Sequence, residues 1–217
     1  MELSGLGDFR AVVFDMDGVL IDARQWHFEA LNEALQIFGV SISESEHETD
    51  FDGLPTRVKL ARLTEQGRLP AHVHDAVSAV KQERTLRAAA RGCFPRIEHL
   101  LAVSWLQAHG LKVGVATNSI SATAHAMLDF AGLLPHLDCL VTNEDVRHAK
   151  PDPEIYLRAT ELLGVSPSQT LVVEDLPVGV RAATDAGCSV VQVRDPSDVS
   201  IALFREPEDA TAREAST

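Results

Sequence analysis

The sequence predicts an α/β fold, a doubly wound parallel sheet interrupted by an inserted helical domain. Three observations predict it: short, nearly continuous apolar runs recur along the chain, segments of helical spacing stand between them, and the stretch from about residue 24 to residue 90 holds helical candidates without a convincing strand. Strands covered on both faces by crossover helices lose the alternation of a half-exposed strand and read as apolar runs.

Ala11 to Phe14 gives the first strand. The insert follows with Phe28 to Phe38, Thr56 to Gln66, and an Ala/Arg-rich helix opened by Pro70 and running towards Ala90. Ile97, Leu100, Leu101 and Leu106 mark a helix before the second strand, Lys112 to Ala116. Met127, Leu128, Phe130 and Ala131 mark another before the strand Cys139 to Val141. Leu171 to Val173 and Ser189 to Val193 complete the sheet, and Gly110, Gly132, Gly164 and Gly187 fall where left-handed caps close helices. The predicted organisation is a Rossmann-like core over residues 1–23 and 91–217 with a helical domain over 24–90. The insert leaves at the C-terminal end of the first strand, where open parallel sheets bind ligands, so it can act as a lid. The tail from Glu206 to Thr217 has no apolar face and is expected to fray.

Composition narrows the function classes. With 45% apolar and 24% charged residues over 217 positions, the chain can bury a sizeable core. Its 32 acidic residues against 19 Lys and Arg leave a net charge of −13, which opposes attraction to nucleic acid or to an anionic membrane, and neither partner is expected. The N-terminus lacks the basic-then-apolar pattern of a secretory signal, and no later segment approaches a membrane span. Cys93, Cys139 and Cys188 are widely spaced and form no CxxC pair, so a disulfide framework or a structural zinc is not suggested, and a reducing cytoplasm fits. Cys139 and Cys188 are expected in the core, Cys93 partly exposed. His72 and His74 stand two apart near a helix start and would point to different faces, which argues against a metal site.

Four clusters could carry chemistry. Phe14-Asp15-Met16-Asp17-Gly18 places two carboxylates at the mouth of the first strand. Such close like charges raise one pKa unless a cation compensates, and oxygen ligands beside a phosphate favour Mg²⁺, although a simple Asp17-Gly18 turn explains the pair as well. Thr117-Asn118-Ser119, after the second strand and before a helix, offers side-chain donors and helix N–H groups to an anion. Ser119 and Ser121 are read there as helix caps, Thr117 and Asn118 as ligand residues. Lys150, in a loop stiffened by Pro151 and Pro153, can hold an ammonium against phosphate oxygens. Glu174-Asp175 ends another apolar strand, and two acidic pairs at equivalent strand ends suggest one shared cation.

In this order and context the four clusters resemble the motifs of the haloacid dehalogenase superfamily, in its branch of phosphatases and phosphomutases with a helical cap after the first strand. The likeness covers essentially residues 10 to 195. It implies that Asp15 is the nucleophile of an aspartyl-phosphate mechanism and Asp17 the general acid and then base. It implies Mg²⁺ held by Asp15, the main-chain carbonyl of Asp17 and Asp175, with Glu174 close by. Thr117 and Asn118 would bind the phosphoryl oxygens, and Lys150 would hold the nucleophile and the developing charge.

Asp17 separates this chain from the dehalogenating relatives, which lack a carboxylate there because a halide leaves without a proton. In the cap, His27 matches a histidine found in mutases and in phosphatases alike. Gly53-Leu54-Pro55-Thr56-Arg57 resembles the loop that reads the leaving group, but Thr56 stands where the mutases carry an arginine and Arg57 follows it. Lys81 falls where the cap often offers a basic contact. The expected function is Mg²⁺-dependent hydrolysis of a small phosphorylated metabolite, such as a sugar phosphate. A β-phosphoglucomutase-like mutase and a non-catalytic phosphometabolite-binding module are the alternatives.

Overall fold

The structure, a computed structural model, describes residues 6–205. Five strands, β1 (Ala11–Phe14), β2 (Lys112–Ala116), β3 (Cys139–Val141), β4 (Thr170–Glu174) and β5 (Ser189–Gln192), form one sheet in the order β3-β2-β1-β4-β5. All four pairings are parallel. The chain winds to one side of β1 through β2 and β3 and returns to its other side at β4, so the strand order reverses beside β1. Ligands of open α/β sheets bind at the carboxyl ends of the strands at such a reversal. Phe14 lies opposite both Val115 and Val173, which brings the next residues, Asp15, Ala116 and Glu174, to the sheet edge at one level.

Successive β1 side chains point to opposite faces, and both faces are covered. Val12 and Phe14 join Val113 and Val115 against α5 (Ile97–Ala108) and α6 (Ser121–Phe130). Ala11 and Val13 pack with Ile155, Tyr156 and Leu163 of α7 (Glu154–Leu163) and with Ala182 and Ala183 of α8 (Pro177–Asp185). This is why the strands read as unbroken apolar runs. Each fully buried Leu, Val or Phe contributes about 1.5–3 kcal/mol.

Between β1 and α5 lie α1 (Arg24–Gln36), the single turn α2 (Glu44–Glu46), α3 (Thr56–Glu65) and α4 (His74–Gly92). These helices share an apolar cluster of their own, with Leu31, Leu35, Phe51, Leu60, Leu63 and Val77 at its centre. Two helix starts in this region differ from the sequence reading. α1 starts four residues earlier, at Arg24, so Arg24 and His27 lie on its first turn. Pro70 does not open α4: it is extended, with ψ of 137°, and leads a 3₁₀ turn over Ala71–Val73 from which α4 starts at His74.

α5 shows what its sequence pattern concealed. Ile97 and Leu101 are 66% and 53% exposed, and the helix buries His99, Ala102, Val103 and Leu106 instead. Cys93 is also a correction, because it is buried rather than partly exposed and its thiol donates to the Met127 carbonyl at 3.3 Å. Burial pushes that thiol up to about 11, away from reactivity. Among the described residues no helix is long and apolar enough to cross a membrane. The reading of the tail from Glu206 onward lies outside the described residues.

Candidate active site

The site grows from the sheet edge. Asp15 is the first residue beyond β1, Glu174 ends β4, Asp175 follows it, and Lys150 stands in the loop between β3 and α7. Asp15, Glu174 and Asp175 are buried, and each offers a carboxylate oxygen within 4.8 Å of the others. Lys150, 4% exposed, donates to Asp15 Oδ1 at 2.6 Å, Glu174 Oε1 at 2.7 Å and the Ala116 carbonyl at 2.9 Å. An ammonium has three donors, so Lys150 is saturated.

Glu174 is saturated as well. Its Oε1 also accepts from the Tyr156 hydroxyl at 2.7 Å, and its Oε2 accepts from the Asp175 and Leu176 N–H groups at 3.0 and 3.3 Å. Gly179 makes room for this carboxylate beneath α8, because a Cβ there would lie 1.6 Å from Glu174 Oε1. Burial opposes ionisation of Glu174, but Lys150, Tyr156 and the Asp175 N–H outweigh it and hold its pKa below the ordinary carboxylate value. The geometry thus makes Glu174 the anchor of Lys150.

Asp15 and Asp175 are less well served. Burial pushes Asp15 well above the usual carboxylate range, with Lys150 opposing and Glu174 and Asp175 adding to the rise. Burial likewise pushes Asp175 up to about 6, against the pull of Arg24, whose guanidinium donates to Asp175 Oδ2. Its Oδ1 is buried without a hydrogen-bond partner. A buried carboxylate oxygen left unpaired, next to a second carboxylate, is what a hard dication would relieve, so the donor set fits Mg²⁺. Gly18 keeps this approach open: its φ is 91°, and a Cβ would fall 2.0 Å from Asp175 Oδ2.

The Asp17 carboxylate is turned away from that cluster. Its Oδ2 accepts from the Ser119 hydroxyl at 2.8 Å, and its Oδ1 lies 3.2 Å from His27 Nε2 without hydrogen-bond alignment. Lys81 Nζ stands 3.0 Å from His27 Nδ1. Because an ammonium only donates, Nδ1 accepts and the ring proton sits on Nε2, facing Asp17. Burial works against ionisation of Asp17, yet His27, the Ser119 hydroxyl and Lys81 outweigh it and lower its pKa. Burial and Lys81 push His27 down, keeping the ring neutral.

Ser119 was expected to cap a helix; instead it holds Asp17, because α6 starts two residues later at Ser121. Thr117 is buried, and its Oγ1 accepts from the Ser119 N–H at 3.0 Å. The Asn118 side chain is spent on main chain: it donates to the Gly53 carbonyl at 2.7 Å and accepts from the Lys150 N–H at 3.1 Å. That leaves its own N–H as what Asn118 can offer an anion. These groups line one cavity of about 510 Å³, with Asp15, Asp17, Thr117 and Lys150 on the core side and Thr56, Arg57 and Lys81 on the cap side.

Tyr156, Ser119, Arg24 and Lys59 were missed by the sequence reading. Tyr156 is the chain's single tyrosine and left a faint signal, a polar tip in the apolar face of α7. Arg24 left none beyond its place just ahead of the hinge histidine.

Comparison with known proteins shows the family. The profile of the haloacid dehalogenase-like hydrolase family matches residues 12–193. The chain is 31% identical over 188 residues to the fructose-1-phosphate phosphatase YqaB of Escherichia coli, covering 86% of this chain and 97% of that one. It is 32% identical over 177 residues to a phosphorylated carbohydrates phosphatase of Thermotoga maritima, covering 82% and 81%. Its fold is similar to that of a β-phosphoglucomutase from Clostridium difficile, with a TM-score of 0.78 at 21% identity over 95% and 96% of the two chains. With its profile matched from the first strand to the last, and with that many residues shared with named members, the chain belongs to the haloacid dehalogenase-like hydrolase family.

Proposed function

We propose that the protein is a Mg²⁺-dependent phosphatase that hydrolyses a small phosphorylated metabolite, such as a sugar phosphate, through an aspartyl-phosphate on Asp15, beneath a helical cap over residues 24–90. The observation that carries this reading is the pairing of a buried Asp15, gripped by Lys150 at 2.6 Å, with a second carboxylate two residues on that is held apart from it by Ser119 and His27. Two carboxylates in opposed environments suit two roles. That named relatives with about a third of their residues in common are phosphatases supports the same reading.

The residues divide the work. Asp15 attacks phosphorus along a line fixed by Lys150, which also offsets charge on the phosphoryl oxygens, while Thr117 and the Asn118 N–H receive those oxygens. Asp15 and Asp175 would hold Mg²⁺, which supplies charge neutralisation for the anionic nucleophile and phosphate. Asp17 gives a proton to the leaving alcohol and then takes one from the attacking water. Its lowered pKa presets the base form; arrival of a phosphoryl dianion next to it raises that pKa and favours the acid form. The cap excludes bulk water from the cavity during this cycle.

The test is a broad phosphoester panel with and without Mg²⁺, scored by phosphate release. Turnover that needs Mg²⁺ and disappears in Asp15→Asn is expected. Isomerisation of a hexose 1-phosphate outpacing phosphate release would instead favour a mutase, and ligand binding without any turnover would favour a sensor.

A further inference from the structure

We propose that Lys59, with Lys81, forms an anion subsite on the cap side of the cavity, so that the leaving group of the substrate carries a second anionic group, a phosphate or a carboxylate. This rests on the phosphatase reading and narrows its substrate class.

Lys59 is 7% exposed and lies on the inner face of α3, beside Leu60 and Leu63 of the cap's apolar cluster. Its side chain lines the cavity, yet among the described residues its ammonium makes no hydrogen bond and no ion pair. Asp52 and Asp17 act on it only from a distance, and burial, outweighing them, pushes it down to about 8. Lys81 lines the same cavity, and burial together with the repulsion of Lys59 pushes it to about 8 also. Two desolvated ammoniums that repel each other make an unfavourable arrangement unless an anion comes between them.

Of the other cations lining the cavity, Arg57 lies exposed in the first turn of α3, and the remaining two are occupied. Lys150 is taken by Asp15 and Glu174, and Arg24 by Asp175. The transferred phosphoryl group belongs at Asp15 on the core wall, so an anion for Lys59 has to come from the other end of the substrate. Lys59 also stands one helical turn beyond Thr56, on the same face of α3, and so sets a buried cation beside the uncharged Thr56. The bland alternative is that Lys59 merely offsets Asp17 and Asp52, but neither lies within ion-pair distance, and an apolar side chain would fill the same slot without the desolvation cost.

The experiment compares kcat/KM within two matched pairs: a sugar bisphosphate against its monophosphate, and a phosphorylated hydroxy acid against the corresponding phosphorylated alcohol. The wild type is expected to prefer the doubly anionic member of at least one pair, and which pair shows the preference separates phosphate from carboxylate. Lys59→Gln should lower that preference by roughly 10- to 100-fold, and Lys59→Arg should restore most of it. Lys59→Met, which keeps the packing of the stem, repeats the comparison should Gln loosen the cap. A wild type that hydrolyses only the neutral-tailed esters, or a preference unchanged by Lys59→Gln and Lys59→Met, overturns the subsite while leaving the phosphatase reading intact. A wild type that hydrolyses nothing sinks the phosphatase reading instead, and calorimetry on Asp15→Asn then decides the subsite: tighter binding of the doubly anionic ligand, lost on adding Lys59→Gln, supports it, and equal binding overturns it.

Discussion

The two walls of the cavity treat charge in opposite ways. On the core wall each charged side chain has a bonded partner, and of the described carboxylate oxygens there only the Oδ1 atoms of Asp17 and Asp175 are buried without a hydrogen bond: Lys150 bridges Asp15 and Glu174, and Tyr156 and two N–H groups fill the rest of Glu174. On the cap wall, Lys59 has no bonded partner and Lys81 leans on a neutral imidazole. The first wall is built to hold one geometry, the second to receive something not yet there. On the proposed function the difference separates chemistry from recognition: the groups assigned to the reaction are preorganised by the sheet, whereas selectivity would rest on cations whose stabilisation the substrate has to supply.

The sharpest way to break this contrast is at Asp15. Asp15→Asn should lower kcat by at least about 10⁴-fold with the melting temperature near that of the wild type, as read by phosphate release and calorimetry. A variant keeping a tenth of the activity would dissolve the distinction. Next comes Lys150→Met, which strands two buried carboxylates, Asp15 and Glu174, without their shared cation. It should cost about 3–5 kcal/mol of stability in denaturant unfolding, far more than Lys59→Met, which should leave stability equal or higher because it removes an unpaired buried charge.

Smaller effects follow from titration. If Asp175 holds Mg²⁺ as proposed, a proton competes with the ion for its carboxylate, which burial pushes up to about 6, so Mg²⁺ affinity by calorimetry should fall as pH drops below 6, by up to about tenfold per unit. On the cap side His47 is buried, and burial, aided by Lys59, pushes it down to about 4. Its folded pKa thus lies below the unfolded value of about 6.5, so the unfolded chain binds the extra proton between these limits. Stability should therefore decrease as pH falls from about 6.5 to 4, by roughly 2–3 kcal/mol, and His47→Gln should flatten that part of the profile.

Much of the core wall was legible in the sequence because strand ends are legible: an apolar run that stops at an acid puts that acid at the sheet edge. The four clusters could be placed on that edge without coordinates. Ser119 was misread because its partner, Asp17, is 102 residues away and a serine before a helix has a sufficient local explanation. Ile97 and Leu101 were misread because helical spacing identifies an apolar face without saying whether anything covers it. Lys59 left no signal at all. A lysine beside Leu60 reads as the polar edge of an amphipathic helix, and only the packing of α3 against the cap's cluster turns it inward.

The Asn118 amide that ties Gly53 of the cap to the loop after β2 has a mechanical meaning. The same side chain also steadies Lys150 through its main-chain N–H. On the proposed function, a helical insert swinging aside as a lid would break a bond belonging to the cradle of Lys150, so the doorway and the seat of the reaction would not be tuned separately. Whatever slackened the one would unsettle the other, and a guest that drew the door shut would also tighten its own chair.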